Sequence, residues 1–169
     1  MTRKQRIATL FGSTAVIGAA VLAVLRSAML VVVVEGHSMV PTFANGDRVL
    51  VLRRWPRRWL RRGQIVLVRR ALIGPPAARA PEEFFVKRVA GMPGETLTLD
   101  AMPSFTADGM PEPVSQQNWY VPEGQIFLCG DNPRSSADSR LWGPVPQQSV
   151  AGLVVMLLSR ATPADPAAE

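Results

Sequence analysis

Six clusters built on glycine or proline cut the chain between Asn45 and Pro144 into runs too short for a core helix. They are Asn45-Gly46-Asp47, Arg62-Gly63, Gly74-Pro75-Pro76, Met92-Pro93-Gly94, Pro122-Glu123-Gly124 and Gly143-Pro144. The runs they bound are apolar or alternating: RVLVL over 48–52, QIVLV over 64–68, FFVKRV over 84–89, TLTL over 96–99, QIFL over 125–128 and VAGLVVMLL over 150–158. Short runs rich in β-branched residues and punctuated by turn formers read as strands. MLVVVV over 29–34 adds another, because its β-branched residues favour extended chain and it is too short to cross a membrane. The pattern predicts an all-β domain over residues 29–160, about 130 residues and enough to bury one core, followed by a disordered tail over 161–169.

Ahead of that domain stands a segment of another kind. Residues 1–6 (MTRKQR) are basic, and Ile7 to Leu25 carries no charge. Nineteen residues of helix measure roughly 28 Å, close to the hydrocarbon thickness of a bilayer. The run is long for the core of a cleaved signal peptide, and Arg26 interrupts the small-residue site that cleavage would need. The reading is a retained membrane anchor over 7–25, against a removed signal peptide or a buried helix of a soluble protein. By the positive-inside rule, Arg3, Lys4 and Arg6 stay in the cytoplasm and the β domain lies outside.

A net charge of +6 calls for an anionic partner surface, and 17 of the 19 basic residues are arginine. Six of these, with two tryptophans, crowd into Arg53–Arg62 (RRWPRRWLRR), a segment suited to anionic headgroups, to plain solvation or to nucleic acid. For a domain tethered at a membrane the expectation is lipid rather than nucleic acid. One cysteine, Cys129, and one histidine, His37, exclude an intrachain disulfide and a Cys/His zinc site.

Three stretches carry polar residues beyond what connections require. In VEGHSMVPT (34–42), Ser38 falls where a strand gives way to a turn, so its hydroxyl and its own backbone N–H stand at an exposed corner, as a nucleophile with an oxyanion donor needs. An ordinary turn serine fits the same position. His37 is adjacent along extended chain and so points away from Ser38, leaving a different base to be found. Lys87 is the candidate: alternation sends Phe85, Lys87 and Val89 to one face, where burial would lower the amine's pKa, while Arg88 turns to solvent. A common surface lysine is the alternative. The third stretch, Gly130–Val145, holds Asp131, Asn132, Ser136, Asp138 and Arg140, of which Asp138 and Arg140 read either as a plain ion pair or as the brace of a site.

In order along the chain, Ser38-Met39 with Pro41-Thr42, Gly46-Asp47 before Val49, Lys87-Arg88-Val89 followed by Gly91 and Pro93-Gly94, and Gly130-Asp131-Asn132 running to Ser136, Asp138, Ser139 and Arg140 resemble the ordered boxes of the type I signal peptidases. The resemblance spans about residues 7–158. It implies an antiparallel, barrel-like β-sheet core, shared with LexA-type self-cleaving repressors, behind one N-terminal transmembrane helix. It implies a Ser/Lys-dyad endopeptidase that removes signal peptides at the outer face of the plasma membrane, with small residues such as alanine before the cleavage site. Ser38 is then the nucleophile and supplies an oxyanion N–H. Lys87 is the general base, Ser136 the serine that hydrogen-bonds its amine, and Asp138 with Arg140 a structural pair. No cofactor or metal is implied.

Where some members carry a serine that completes the oxyanion hole, this chain has Gly36; Phe43, Glu95 and Pro133-Arg134 also depart from the common pattern. The stretch between the lysine box and the last box is short, so the extra β-subdomain of some large relatives is expected to be reduced or missing. Other readings are a maturation protease dedicated to one partner, a self-cleaving regulator, which lacks its DNA-binding domain here, and a non-enzymatic anchored module that binds lipid or polyanion through Arg53–Arg62.

Overall fold

The computed structural model describes residues 26–69, 84–101 and 115–161. The expected tail and anchor over 1–25, the Pro/Ala-rich stretch at 72–81 and the C-terminal residues 162–169 lie outside the described residues. Among the described residues no helix is long and apolar enough to cross a membrane.

The architecture is mainly β and antiparallel. In chain order the strands are β1 Met29–Val33, β2 Arg48–Leu52, β3 Ile65–Arg69, β4 Phe84–Gly91, β5 Thr96–Asp100, β6 Gln116–Tyr120, β7 Gln125–Cys129, β8 Val145–Pro146 and β9 Val150–Ser159, with a short α-helix, α1, at Ser139–Trp142 and 3-10 turns at Arg57–Trp59, Pro133–Ser135 and Gln147–Ser149. Seven form one sheet in the order β1-β2-β9-β3-β4-β7-β8, and β5 pairs with β6 separately. Strand β9, last in sequence, is central in space: it joins the β1–β2 hairpin to the half built on β3, β4, β7 and β8. Register shifts interrupt β2–β9, β3–β9 and β4–β7, and such irregularities bend the strands and curl the sheet.

Two apolar clusters flank this sheet. Val66, Val68, Val89, Ile126 and Leu128 belong to one, and Val34, Met39, Phe43, Val49, Val51 and Leu67 to the other. The alternation of β3 explains the division, since Leu67 faces one cluster and its neighbours Val66 and Val68 the other. Gly152, on β9, lies where strands cross closely: a Cβ there would stand 3.0 Å from the Leu52 carbonyl oxygen and collide with Val51. Asp47, fully buried, ties the two ends of the domain. It accepts from the N–H of Ala44, from that of Ala161 and from Arg160. These backbone hydrogen bonds first, with the Arg160 charge, hold its carboxyl below the ordinary value. The chain is thus fastened to the sheet as far as Ala161, where the tail was expected to begin.

Candidate active site

The turn after β1 is pegged from both sides of Ser38. Met39 and Phe43 sink into the second cluster, while the backbone of Val34 exchanges hydrogen bonds with Gly46 and Asp47 across the base of the loop. Ser38 is left half-buried at the corner. Gly36 has φ +82°, a conformation that strains any side chain, and its N–H is taken by Asn45 Oδ1 at 2.9 Å. That geometry gives a physical reason for glycine where some relatives place serine.

Lys87 lies on β4 directly opposite Val66 of β3, on the face that carries Val89 into the first cluster. It is 3% exposed, with its amine 5.8 Å from the Phe85 ring centre, and no carboxylate pairs with it among the described residues. Burial, the largest influence, pushes its pKa below the usual lysine value; the nearby Asp138 charge opposes the fall and Arg140 adds to it. Cys129, also close, is pushed up to about 12 chiefly by burial, so its thiol stays neutral and is no rival nucleophile.

The segment after β7 turns back against the Ser38 loop. Asp138, fully buried, accepts from Arg140 Nε at 2.9 Å and again from its Nη2, from the Gly130 N–H at 2.8 Å and from the Ser136 hydroxyl at 2.7 Å. Burial alone would raise this carboxyl, but the hydrogen bonds from Arg140, Gly130 and Ser136 outweigh it and hold it below the ordinary value. Ser139 sits beneath, its hydroxyl accepting the Leu128 N–H. A carboxylate only accepts, so the Ser136 proton points to Asp138 and the oxygen's lone pairs are left for another donor.

Arg88 departs from expectation. Rather than pointing to solvent, it forks onto Asp131 at 2.8 and 2.6 Å, reaches the Gly63 carbonyl at 2.7 Å, and meets Thr42, which itself donates to Asp131. The reason is that the face of β4 opposite Lys87 is covered by the Ser38 loop and the post-β7 segment, and a guanidinium there finds a planar carboxylate partner. Asn132 closes the junction, its backbone N–H donating to the Ser38 carbonyl at 3.0 Å and its side chain to that of His37. Thr42, Arg88, Asp131 and Asn132 were visible as motif letters without roles; the structure makes them the clamp between the serine loop and the last box.

Gly130 sits at the centre of this junction. A Cβ added to it would collide with the Ser136 hydroxyl and stand 2.6 Å from the Ser38 carbonyl oxygen. Gly130→Ala should therefore displace the serine loop and cost about 1–3 kcal/mol by overpacking. Urea unfolding measures that cost, and a variant as stable as wild type would show that the junction has slack.

The signal peptidase model, peptidase S26, matches residues 7–109 and 102–159. The chain belongs to this family. Among similar proteins, a mitochondrial ATP-independent inner membrane protease subunit 1b of Arabidopsis thaliana is 33% identical over 122 residues, which cover 71% of this chain and 64% of the relative. A probable signal peptidase I-1 of Synechocystis is 31% identical over 70% of this chain and 65% of its own length. The chain thus spans just under two-thirds of these relatives. Signal peptidase I V of Bacillus subtilis is 30% identical over 72% of this chain and 80% of its own. Among solved structures, a signal peptidase I of Enterococcus faecalis overlaps 57% of this chain and 97% of its own with a TM-score of 0.40 and 24% identity.

Proposed function

We propose that this peptidase S26 chain is a membrane-anchored serine endopeptidase that removes signal peptides from exported proteins, with Ser38 as nucleophile and Lys87 as general base. The observation that carries the reading is the buried amine of Lys87, which no carboxylate pairs with among the described residues; Ser38 in turn lines a cleft of about 200 Å³ with Val34, Leu67, Phe85 and Val86, the last two of which precede Lys87 on β4. The apolar walls suit an extended peptide with small side chains. A neutral Lys87 takes the Ser38 proton as Oγ attacks the scissile carbonyl, and the Ser38 backbone N–H faces the developing oxyanion. Lys87 then returns the proton to the departing amine as the C–N bond breaks. A water that Lys87 deprotonates hydrolyses the ester and frees Ser38.

Ser136 orients the base in this scheme. Its proton is committed to Asp138, so its oxygen accepts from the amine and leaves the amine lone pair to Ser38. Asp138 and Arg140 hold Ser136 in place without touching substrate. The anchor over Ile7–Leu25 sets the domain outside the membrane with the N-terminus in the cytoplasm, and Ser38, thirteen residues beyond Leu25, stays within roughly 43 Å of the anchor's end.

The test is cleavage of an Ala-x-Ala preprotein by detergent-solubilised wild type and Ser38→Ala, with product masses recorded. Cutting at that site by wild type alone is expected; equal cutting by both would remove Ser38 from the mechanism. Wild-type kcat/KM should rise with pH through a Lys87 pKa that burial holds below the ordinary lysine value, because the lysine must lose its proton to act. A limb appearing only at the ordinary lysine value would rule out a desolvated base.

A further inference from the structure

Between β2 and β3, Arg53–Arg62 contains six arginines, two tryptophans and no acidic residue. The fold holds this segment firmly from within. Leu60 and Trp55 pack into the first cluster, Arg57 donates to the Gln147 carbonyl at 2.6 Å, and Arg61 closes onto the carbonyls of Arg58 and Leu60. Arg62 is 4.0 Å from Glu95. What remains faces outward: Trp59, 52% exposed, and Arg53, Arg54 and Arg58, which are exposed and have no carboxylate partner among the described residues. A backing this well fixed presents the cations without much ordering cost when they meet a partner.

The position of the segment narrows the kind of partner. Arg53 donates its N–H to the Ala28 carbonyl at 2.7 Å, only three residues past Leu25, where the charge-free run ends. The β1–β2 register sets Met29 opposite Leu52 and Val31 opposite Leu50, and Leu50 lies opposite Met156 of β9. Directly opposed residues share a face, so the arginines continue an apolar strip in which Met29, Val31 and Met156 are all exposed. Cations and an indole at the margin of such a strip match the layering of a bilayer interface, with phosphate, carbonyl and acyl levels in turn. A nucleic acid would engage the cations and leave the strip in water.

We propose that Arg53, Arg54, Arg58 and Trp59 form a docking surface for anionic phospholipid headgroups, which lays the outer face of β1, β2 and β9 against the bilayer. The proposal rests on the reading of Ile7–Leu25 as an anchor and adds a second point of contact. One tether leaves the domain free to tilt; two fix the attitude of the Ser38 cleft to the membrane.

The full chain, reconstituted in phosphatidylcholine liposomes with or without phosphatidylglycerol and carrying brominated lipid, tests it by tryptophan quenching. The Trp59 signal, taken as wild type minus Trp59→Phe, should be at least about threefold stronger in the anionic liposomes. The triple change Arg53→Gln, Arg54→Gln, Arg58→Gln, or salt near 0.5 M, should bring it to the neutral level. Equal quenching in both lipids, or a triple variant that quenches like wild type, overturns the proposal. So does an oligonucleotide that abolishes the quenching at matched phosphate concentration, which would make this a polynucleotide surface. Retention in neutral liposomes through an alkaline carbonate wash reports the anchor separately.

Discussion

Replacing Lys87 with methionine should lower kcat for an Ala-x-Ala preprotein by at least about 10⁴-fold while leaving the thermal midpoint unchanged or higher. The two effects share a cause. In the proposed mechanism the amine is the base, so its removal stops acylation; it is also a buried group that no carboxylate pairs with among the described residues, the Asp138 charge offsetting only part of the desolvation that folding pays for. Methionine fills similar volume without that cost. Because the native pKa is lowered, the unfolded chain holds a proton that the native state gives up anywhere between the native value and about 10.4. Wild-type stability therefore gains on the variant as pH climbs through that window, and the gap between their midpoints should be widest below the native pKa and narrow toward pH 10. Thermal melts at several pH values measure it. A clearly less stable Lys87→Met would show that the amine is held by partners rather than merely tolerated.

Asp138→Ala should be the most damaging single change to the fold, at about 3–5 kcal/mol. It strands Arg140, whose side chain is only 7% exposed, and orphans the Gly130 N–H and the Ser136 hydroxyl together. A domain of this size has about 5–15 kcal/mol in all, so the variant is expected at the edge of folding. The double change Asp138→Leu with Arg140→Met, which removes both charges, should recover at least half of the loss. If it recovers none, the hydrogen bonds to Gly130 and Ser136 outweigh the ion pair. The milder Asp138→Asn reads out the site: without the charge that supports protonated Lys87, the ascending limb of the pH profile should move lower. In acid the sign reverses for the fold. Asp138 has a lowered carboxyl pKa, so its stabilisation is complete above the ordinary carboxylate value near 3.8 and is lost as pH falls through the native one.

Strands whose residues alternate around a core were legible in the sequence. RVLVL marks β2 to the residue, and the alternation through FFVKRV places Lys87 on the buried face. Strand β6 (QQNWY) was not legible, because it is mostly exposed and polar and its partner β5 supplies the pairing; β8 is two residues long and carries no period. In the site, residue types that imply chemistry stood out, as Ser38 and Lys87 did. The clamp did not, since Arg88 and Asp131 are 43 positions apart and nothing local distinguishes their pairing from two solvated charges. Gly130 was readable as a turn glycine. Its crowding between Ser136 and the Ser38 carbonyl depends on which segments the fold stacks there.

The place of β9 in the sheet bears on when such a protein becomes dangerous to its neighbours. Ser38 follows from the β1–β2 hairpin and Lys87 belongs to the β3–β4 half, and within the seven-stranded sheet only β9 bridges the two. Until residues 150–159 have emerged from synthesis, that bridge does not exist. A partly made chain carries its serine and lysine on separate pieces of unfinished sheet, so the order of assembly by itself keeps the nascent protein latent.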